Sequence, residues 1–296
     1  MNCVVRGATR DWSWHGWQVR YRFISAPQSP QTGIPVLLIH GFGSSLDQWD
    51  RNLEALGLHH PVYALDLVGF GKSQKAATSY TVALWSRQVY DFWRSFIHRP
   101  VVVIGHSLGA LVAATVASEF PDAVAGVGLM TLPATRQERV SSAWVQKLTS
   151  SVEAIVANPL LIRVIFNIAR QRRVLQKALR AAYSDASFVT PAVLDSFVEP
   201  TLDRGAAQTL CRLTRSATST SYSRSREVLL SQIRQPTLLM WGERDRITPI
   251  VQGEHLHKDF PSLTWQVIPN GGHCFYDECA ELVNPLIVEW IQKTIH

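Results

Sequence analysis

The chain alternates short apolar runs with longer segments in which apolar residues recur every three or four positions. The runs at 36–39, 62–65, 101–104, 127–130, 237–241 and 264–268 are dominated by Val, Leu, Ile and Met, and 17–24 alternates loosely between apolar and polar. Several of them end at Gly, Asp or Pro. Apolar runs bounded by turn residues suit strands buried on both faces, as in a parallel sheet covered by helices. The helical patterns at 81–97 and 108–119 would supply the crossovers. The pattern predicts an α/β fold with a mostly parallel central sheet flanked by helices.

Between 131 and 235 the strand rhythm stops and helical patterns take over, with Pro133, Pro159, Pro191 and Pro200 as breakers, until Pro236 reopens the strand series. The expected organisation is a core formed by 1–130 and 232–296, with a helical lid inserted at 131–231. Within the insertion Leu161, Val164, Ile165, Ile168, Leu175 and Leu179 share one side of a helical wheel. Arg163, Arg170, Arg173, Lys177 and Arg180 fall opposite, and Arg172 alone sits on the apolar side. We read this as one amphipathic lid helix whose apolar side covers a pocket; a helix lying at a membrane interface has the same pattern. Segments 160–168 and 189–198 carry enough Leu, Ile, Val and Phe to line an apolar acyl or prenyl pocket, or simply to pack the lid onto the core.

Composition narrows the class. Hydrophobic residues make up 46% of the 296 and charged residues 18%, which excludes a disordered chain. The first ten residues lack an apolar signal segment, and no run approaches the ~20 residues that span a bilayer, so the expected location is cytoplasmic. Cys3, Cys211, Cys274 and Cys279 are too few and too irregular for a disulfide framework or a zinc pattern, and read as free thiols. The net charge of +6 is concentrated: 131–230 holds 14 Lys and Arg against 7 Asp and Glu. No nucleic-acid-binding motif accompanies this charge. A basic lid beside an apolar pocket would instead let the protein make peripheral contact with an anionic membrane surface, at about 1 kcal/mol per basic residue.

The chemistry centres on V-V-V-I-G-H-S-L-G-A at 101–110, a buried strand running into G-x-S-x-G and then a helix. A sharp turn there lifts the Ser107 hydroxyl above the sheet, and Gly105 and Gly109 permit the close approach that a Cβ would block. A serine hydroxyl is a weak nucleophile until a base accepts its proton and a carboxylate orients that base. His273, in P-N-G-G-H after the last apolar run, is the expected base. Asp245, in G-E-R-D after the run at 237–241, is the expected acid, with Glu243 as its competitor. The backbone N–H groups of Leu108 and of Phe42, in the loop after 36–39, are the expected oxyanion donors. His40 and His106 read as structural neighbours of these loops. G-F-G-K-S at 69–73 lacks the earlier glycine of a phosphate-binding loop, since Asp66 stands there. Gly41-Phe42-Gly43 lacks the third glycine of a dinucleotide fingerprint, since Leu46 stands there. No cofactor and no metal are implied.

H-G-F-G at 40–43, D-L-V-G-F-G-K-S at 66–73, G-H-S-L-G, W-G-E-R-D and G-G-H occur in an order that resembles the α/β-hydrolase superfamily over nearly the whole chain. W-S-W-H-G-W-Q-V-R-Y near the amino terminus and Y-T-V-A-L-W-S-R-Q-V-Y-D-F-W further on are similar to the cyanobacterial and plastid branch that includes chlorophyll dephytylase and pheophytinase. The resemblance implies an α/β-hydrolase fold and a serine hydrolase with the triad Ser107, Asp245 and His273. It further implies ester hydrolysis that removes a phytyl chain, and the lack of a transit peptide would fit a bacterial member. The substrate expected on both grounds is a small lipophilic ester. The same triad also serves carbon–carbon bond hydrolysis, perhydrolysis and lyase chemistry, and a low-turnover ligand receptor is the reading from another class.

Overall fold

Eight strands form one sheet in the order β1-β2-β4-β3-β5-β6-β7-β8. This computed structural model describes residues 7–25, 33–135, 138 and 159–295. From β3 (Val36–Ile39) onward, through β4 (Val62–Leu65), β5 (Val101–His106), β6 (Val124–Met130), β7 (Thr237–Gly242) and β8 (Thr264–Ile268), every pairing is parallel. Alternate residues serve opposite faces. Leu37, Ile39, Val103 and Leu129 enter one apolar layer, while Val36, Leu38, Val102 and Met130 enter the other. Both faces need apolar side chains, which is why these strands read as unbroken runs.

One strand was not legible in the hydrophobic pattern. β1 (Ala8–Trp14) pairs antiparallel with β2 (Trp17–Ile24), which in turn pairs antiparallel with β4. Most of β1 is exposed at the sheet edge, so its sequence, ATRDWSW, carries no apolar run. Its signal lay in the turn: His15 and Gly16 both take positive φ, 51° and 77°, the two-residue geometry that matches the twist of a hairpin.

The helices α1 (Asp50–Gly57), α2 (Val82–Phe92) and α3 (Leu108–Glu119) cover the sheet. The periodic stretch at 81–97 resolves into two pieces. Thr81 caps α2 by accepting from the Leu84 N–H, and the chain then widens into a π-turn at Trp93–Ile97 that His98 ends at φ 59°.

Between β6 and β7 the described residues form α4 (Pro159–Ala169), α5 (Arg172–Ala182), α6 (Pro191–Val198), α7 (Ala206–Ala217) and α8 (Arg226–Gln232). Pro159 and Pro191 open helices instead of interrupting them, since a first-turn N–H has no intrahelical partner to lose. The expectation of one helix across 161–180 is corrected: the chain breaks at Arg170-Gln171, where Gln171 is extended at ψ 132°. The second half faces as expected, with Leu179 buried, Leu175 half-buried and Arg173, Lys177 and Arg180 exposed; the first half does not. Ile162 and Phe166 are buried, whereas Leu161, Val164, Ile165 and Ile168 face outward. The helices α9 (Val251–Asp259), α10 (Phe275–Glu278) and α11 (Ala280–Thr294) complete the chain.

The strand order reverses at β3, which lies between β4 and β5. In doubly wound sheets that reversal opens a crevice beyond the strands' carboxyl ends, where ligands bind. The loops that follow β3 and β5 border it.

Candidate active site

Ser107 stands between β5 and α3 at φ 52°, ψ −114°. A non-glycine residue seldom occupies this region, and the strain is held by bonds on both sides. The Ser107 N–H donates to Met130 O on β6 at 2.9 Å, and its carbonyl accepts from Ala110 N at 2.9 Å and Leu111 N at 3.3 Å. Each flanking glycine has a specific reason. A Cβ on Gly105 would overlap the carbonyl oxygen of Gly109, and a Cβ on Gly109 would overlap that of Ile39. Strand, turn and helix are thus in backbone contact, with the serine side chain half-buried at the crest.

His273 follows β8 in a loop whose backbone bonds to the lid, the His273 N–H donating to Ala182 O at 2.7 Å. The imidazole Nδ1 lies 2.8 Å from Asp245 Oδ2. Asp245 follows β7 and its side chain is fully buried. Its Oδ1 accepts from the N–H groups of Ile247 and Thr248, both at 2.8 Å, and Oδ2 also accepts from the Thr131 hydroxyl at 3.3 Å. Facing a carboxylate oxygen, Nδ1 is the donor, which in the neutral ring leaves Nε2 its lone pair. Glu243 is exposed and accepts from Asn270 N at 2.8 Å, bracing the far end of the same loop.

His106, the residue before Ser107, contacts the His273 loop. Its Nε2–H donates to His273 O at 2.9 Å, and its ring packs 4.6 Å from the rings of both His273 and Tyr276. Burial holds it well below the usual histidine range, so it is neutral. His40 is also fully buried and neutral, pushed down to about 4 by burial. Its Nδ1–H donates to Gly41 O at 2.7 Å and its Nε2 accepts from Leu67 N at 3.1 Å, which ties the loop after β3 to the loop after β4. Both histidines hold backbone in place.

The loop after β3 presents Phe42, whose ring meets Phe70 edge-on at 5.6 Å. Leu108 opens α3, so its N–H has no carbonyl one turn earlier to bond. The G-F-G-K-S segment is organised by the residue that excludes a phosphate loop. Asp66 accepts from Leu46 N and Lys72 N, each at 2.7 Å, although burial pushes its carboxyl up to about 7. The lysines of this segment reach the lid, Lys72 pairing with Glu199 at 2.8 Å and Lys75 with Asp203 at 3.0 Å.

A narrow cavity of about 180 Å³ runs from the Phe42 loop beneath the lid. Phe42, Phe70, Phe166, Leu175, Phe197 and Leu213 are among the residues that line it, together with Lys75 and Arg170. A wider depression of about 740 Å³ between α1 and α11 is bordered by none of these loops.

Two contributions had no visible motif. Thr131, at φ 50°, donates to Asp245 from the end of β6. Glu278 is buried five residues after His273. One of its carboxylate oxygens accepts from Gly272 N, and the other from Ser184 N and Ser184 Oγ, both at 2.9 Å, and from Asp185 N at 3.2 Å. The acidic pair after G-G-H was its only trace in the sequence. Among the described residues, no group of three His, Cys, Asp or Glu side chains could hold a metal ion, and no helix is long and apolar enough to cross a membrane. Cys211, Cys274 and Cys279 are free thiols; Cys3 lies outside the described residues.

A doubly wound sheet whose central strand delivers a serine into a positive-φ turn defines the nucleophile-elbow class of α/β proteins. The chain belongs to the α/β-hydrolase fold family, whose model it matches over residues 34–279. It is 28% identical over 262 residues to the dihydrolipoyllysine-residue acetyltransferase component of the acetoin cleaving system of Pseudomonas putida. That match covers 88% of this chain and 64% of the relative, so the chain spans just under two thirds of its length. Among solved structures it resembles a thermophilic esterase from Thermogutta terrifontis, with a TM-score of 0.75 and 21% identity over 98% of this chain and 100% of that one. It also resembles the meta-cleavage product hydrolase of Pseudomonas fluorescens IP01, with a TM-score of 0.76 and 19% identity over 96% and 97% of the two chains. At these identities the likenesses establish the shared fold.

Proposed function

We propose that the protein is a serine hydrolase that cleaves a lipophilic carboxylic ester through an acyl-enzyme. The observation that carries this is the 2.8 Å bond from His273 Nδ1 to buried Asp245, in a chain whose Ser107 is held at positive φ in the elbow. His273 Nε2 takes the Ser107 proton as Oγ attacks the ester carbonyl, and Asp245 offsets the charge that appears on the imidazole. The carbonyl oxygen, now negative, accepts from the N–H groups of Phe42 and Leu108. His273 returns its proton to the leaving alcohol, and the acyl group stays on Ser107. Water, deprotonated by His273, then attacks the acyl carbon; acid departs and Ser107 regains its proton.

The lipophilic substrate follows from the cavity, whose aromatic and aliphatic wall begins at the residue that supplies one oxyanion donor. Within that class the phytyl ester of chlorophyll or a related pigment is the particular candidate, on the resemblance of the amino-terminal and 80–93 segments to the dephytylase branch. Fluorophosphonate should label the protein and fail to label Ser107→Ala. Labelling that persists in the variant removes Ser107 from the role. Incubation with a pigment and lipid extract, compared with the same variant, should consume an ester and release its acid and alcohol. No phytol release would remove the dephytylase assignment, and labelling without hydrolysis of any ester would favour carbon–carbon bond hydrolysis on the same triad.

A further inference from the structure

Helix α4 is apolar on two sides. Its inner side carries Ile162 and Phe166, which are buried, and Phe166 and Ala169 border the cavity. Its outer side carries Leu161, Val164, Ile165 and Ile168, spaced i, i+3, i+4 and i+7, which remain 39%, 55%, 41% and 53% exposed. Isolated exposed aliphatic residues are ordinary, but a continuous stripe on one helix marks an interaction surface. Val174, 39% exposed, extends the apolar surface into the next helix.

The chemistry of the partner follows from what surrounds the stripe. Arg163 on α4 and Arg173, Lys177 and Arg180 on α5 are exposed and have no ion-pair partner among the described residues. Arg172 is different, being paired with Asp195. The stripe itself is wholly aliphatic, whereas the centres of protein–protein interfaces are enriched in aromatic residues. Aliphatic side chains for a hydrocarbon layer, with unpaired cations beside them for its headgroups, match an anionic bilayer surface.

We propose that α4 and α5 form a membrane-docking face that seats the outer stripe of α4 in an anionic lipid surface. Docking would set the cavity wall and the bilayer on opposite sides of one helix, the shortest path for a lipophilic ester leaving the membrane. The functional benefit rests on the lipophilic-ester reading; binding itself needs no turnover, so the two can fail separately.

The test is flotation of the full chain, and of Ser107→Ala, with phosphatidylcholine vesicles and with vesicles that also contain phosphatidylglycerol. Both proteins should bind the anionic vesicles at least tenfold more tightly. Molar salt, which shortens the screening length to about 3 Å, should remove most of that preference. Val164→Glu with Ile168→Glu should lose at least tenfold in binding. Arg173→Glu and Lys177→Glu should each lose about fivefold or more at low salt. All four substitutions lie outside the cavity and should leave hydrolysis of a water-soluble nitrophenyl ester unchanged. Equal binding to neutral and anionic vesicles would overturn the proposal, as would undiminished binding by the glutamate variants. So would sedimentation showing a dimer that Ile168→Glu dissociates, which would give the stripe to a second copy of the chain.

Discussion

At the residue scale, the two acidic candidates near the base are separated by geometry. Asp245 bonds the imidazole and is itself held by two backbone N–H groups and a hydroxyl; Glu243, two residues earlier, turns outward to the Asn270 N–H. Asp245→Asn should therefore keep the loop bonds through the amide oxygen while its NH₂ faces Nδ1. That selects the tautomer whose Nε2 already carries a proton. We expect kcat for a nitrophenyl ester to fall roughly 10³- to 10⁴-fold by analogy with triads of this type, whereas Glu243→Gln should stay within a few-fold. Equal losses in the two variants would refute the assignment. In G-E-R-D only the distance from the strand end favours Asp245 over Glu243; the bond itself needs the position of a loop 28 residues further on.

At the element scale, the loop carrying His273 is attached to the lid. Ala182, at the end of α5, accepts from His273 N, while Glu278 on α10 gathers donors from Gly272 and from Ser184 and Asp185 beyond α5. Glu278 thus ties the His273 loop to the chain beyond α5, which predicts a positioning role for it. Glu278→Gln presents one acceptor oxygen where two carboxylate oxygens serve four donors. A loss of about 1–3 kcal/mol in unfolding free energy is expected from the unsatisfied donors. A positioning role further requires kcat to fall about tenfold or more with KM little changed, as expected when alignment of a catalytic group is disturbed. A lower denaturation midpoint with unaltered kcat would make the residue purely structural.

At the scale of the whole molecule, buried titratable groups link stability to pH. Burial keeps His40 uncharged down to about 4 and holds His106 well below the usual histidine range, while both would titrate near 6.5 in the unfolded chain. Between 6.5 and 4 the unfolded state binds protons that the folded state refuses. Their contribution is complete above 6.5 and is lost as pH falls, by up to about 1.4 kcal/mol per pH unit for each. Asp66, 3.9 Å from His40, acts oppositely. Raised to about 7, it holds a proton in the folded state that the unfolded chain releases, so its contribution grows as pH falls toward 3.8. His60 shifts in the histidines' direction and Asp50 and Asp277 in that of Asp66, so the histidines' share is a fall in urea-unfolding stability from pH 6 to 4.5. His40→Asn should flatten that slope by about one proton; an unchanged slope would show that His40 does not remain neutral.

The periodicity of the chain determined by itself that β3 to β7 are strands buried on both faces, because an unbroken apolar run has few other solutions; β8, at the sheet edge, is mostly half-buried. The periodicity also set the serine between a strand and a helix, and Asp245 and His273 each after a strand, since those features are contiguous in sequence. The tertiary structure alone decided how the lid faces. A helix that is apolar over more than half its circumference can bury either side, and packing of Ile162 and Phe166 turned the expected inner stripe of α4 outward. Exposed β1 left no hydrophobic trace, and Glu278 meets Ser184 across 94 residues. Such contacts depend on where the chain returns in space, which local spacing does not encode.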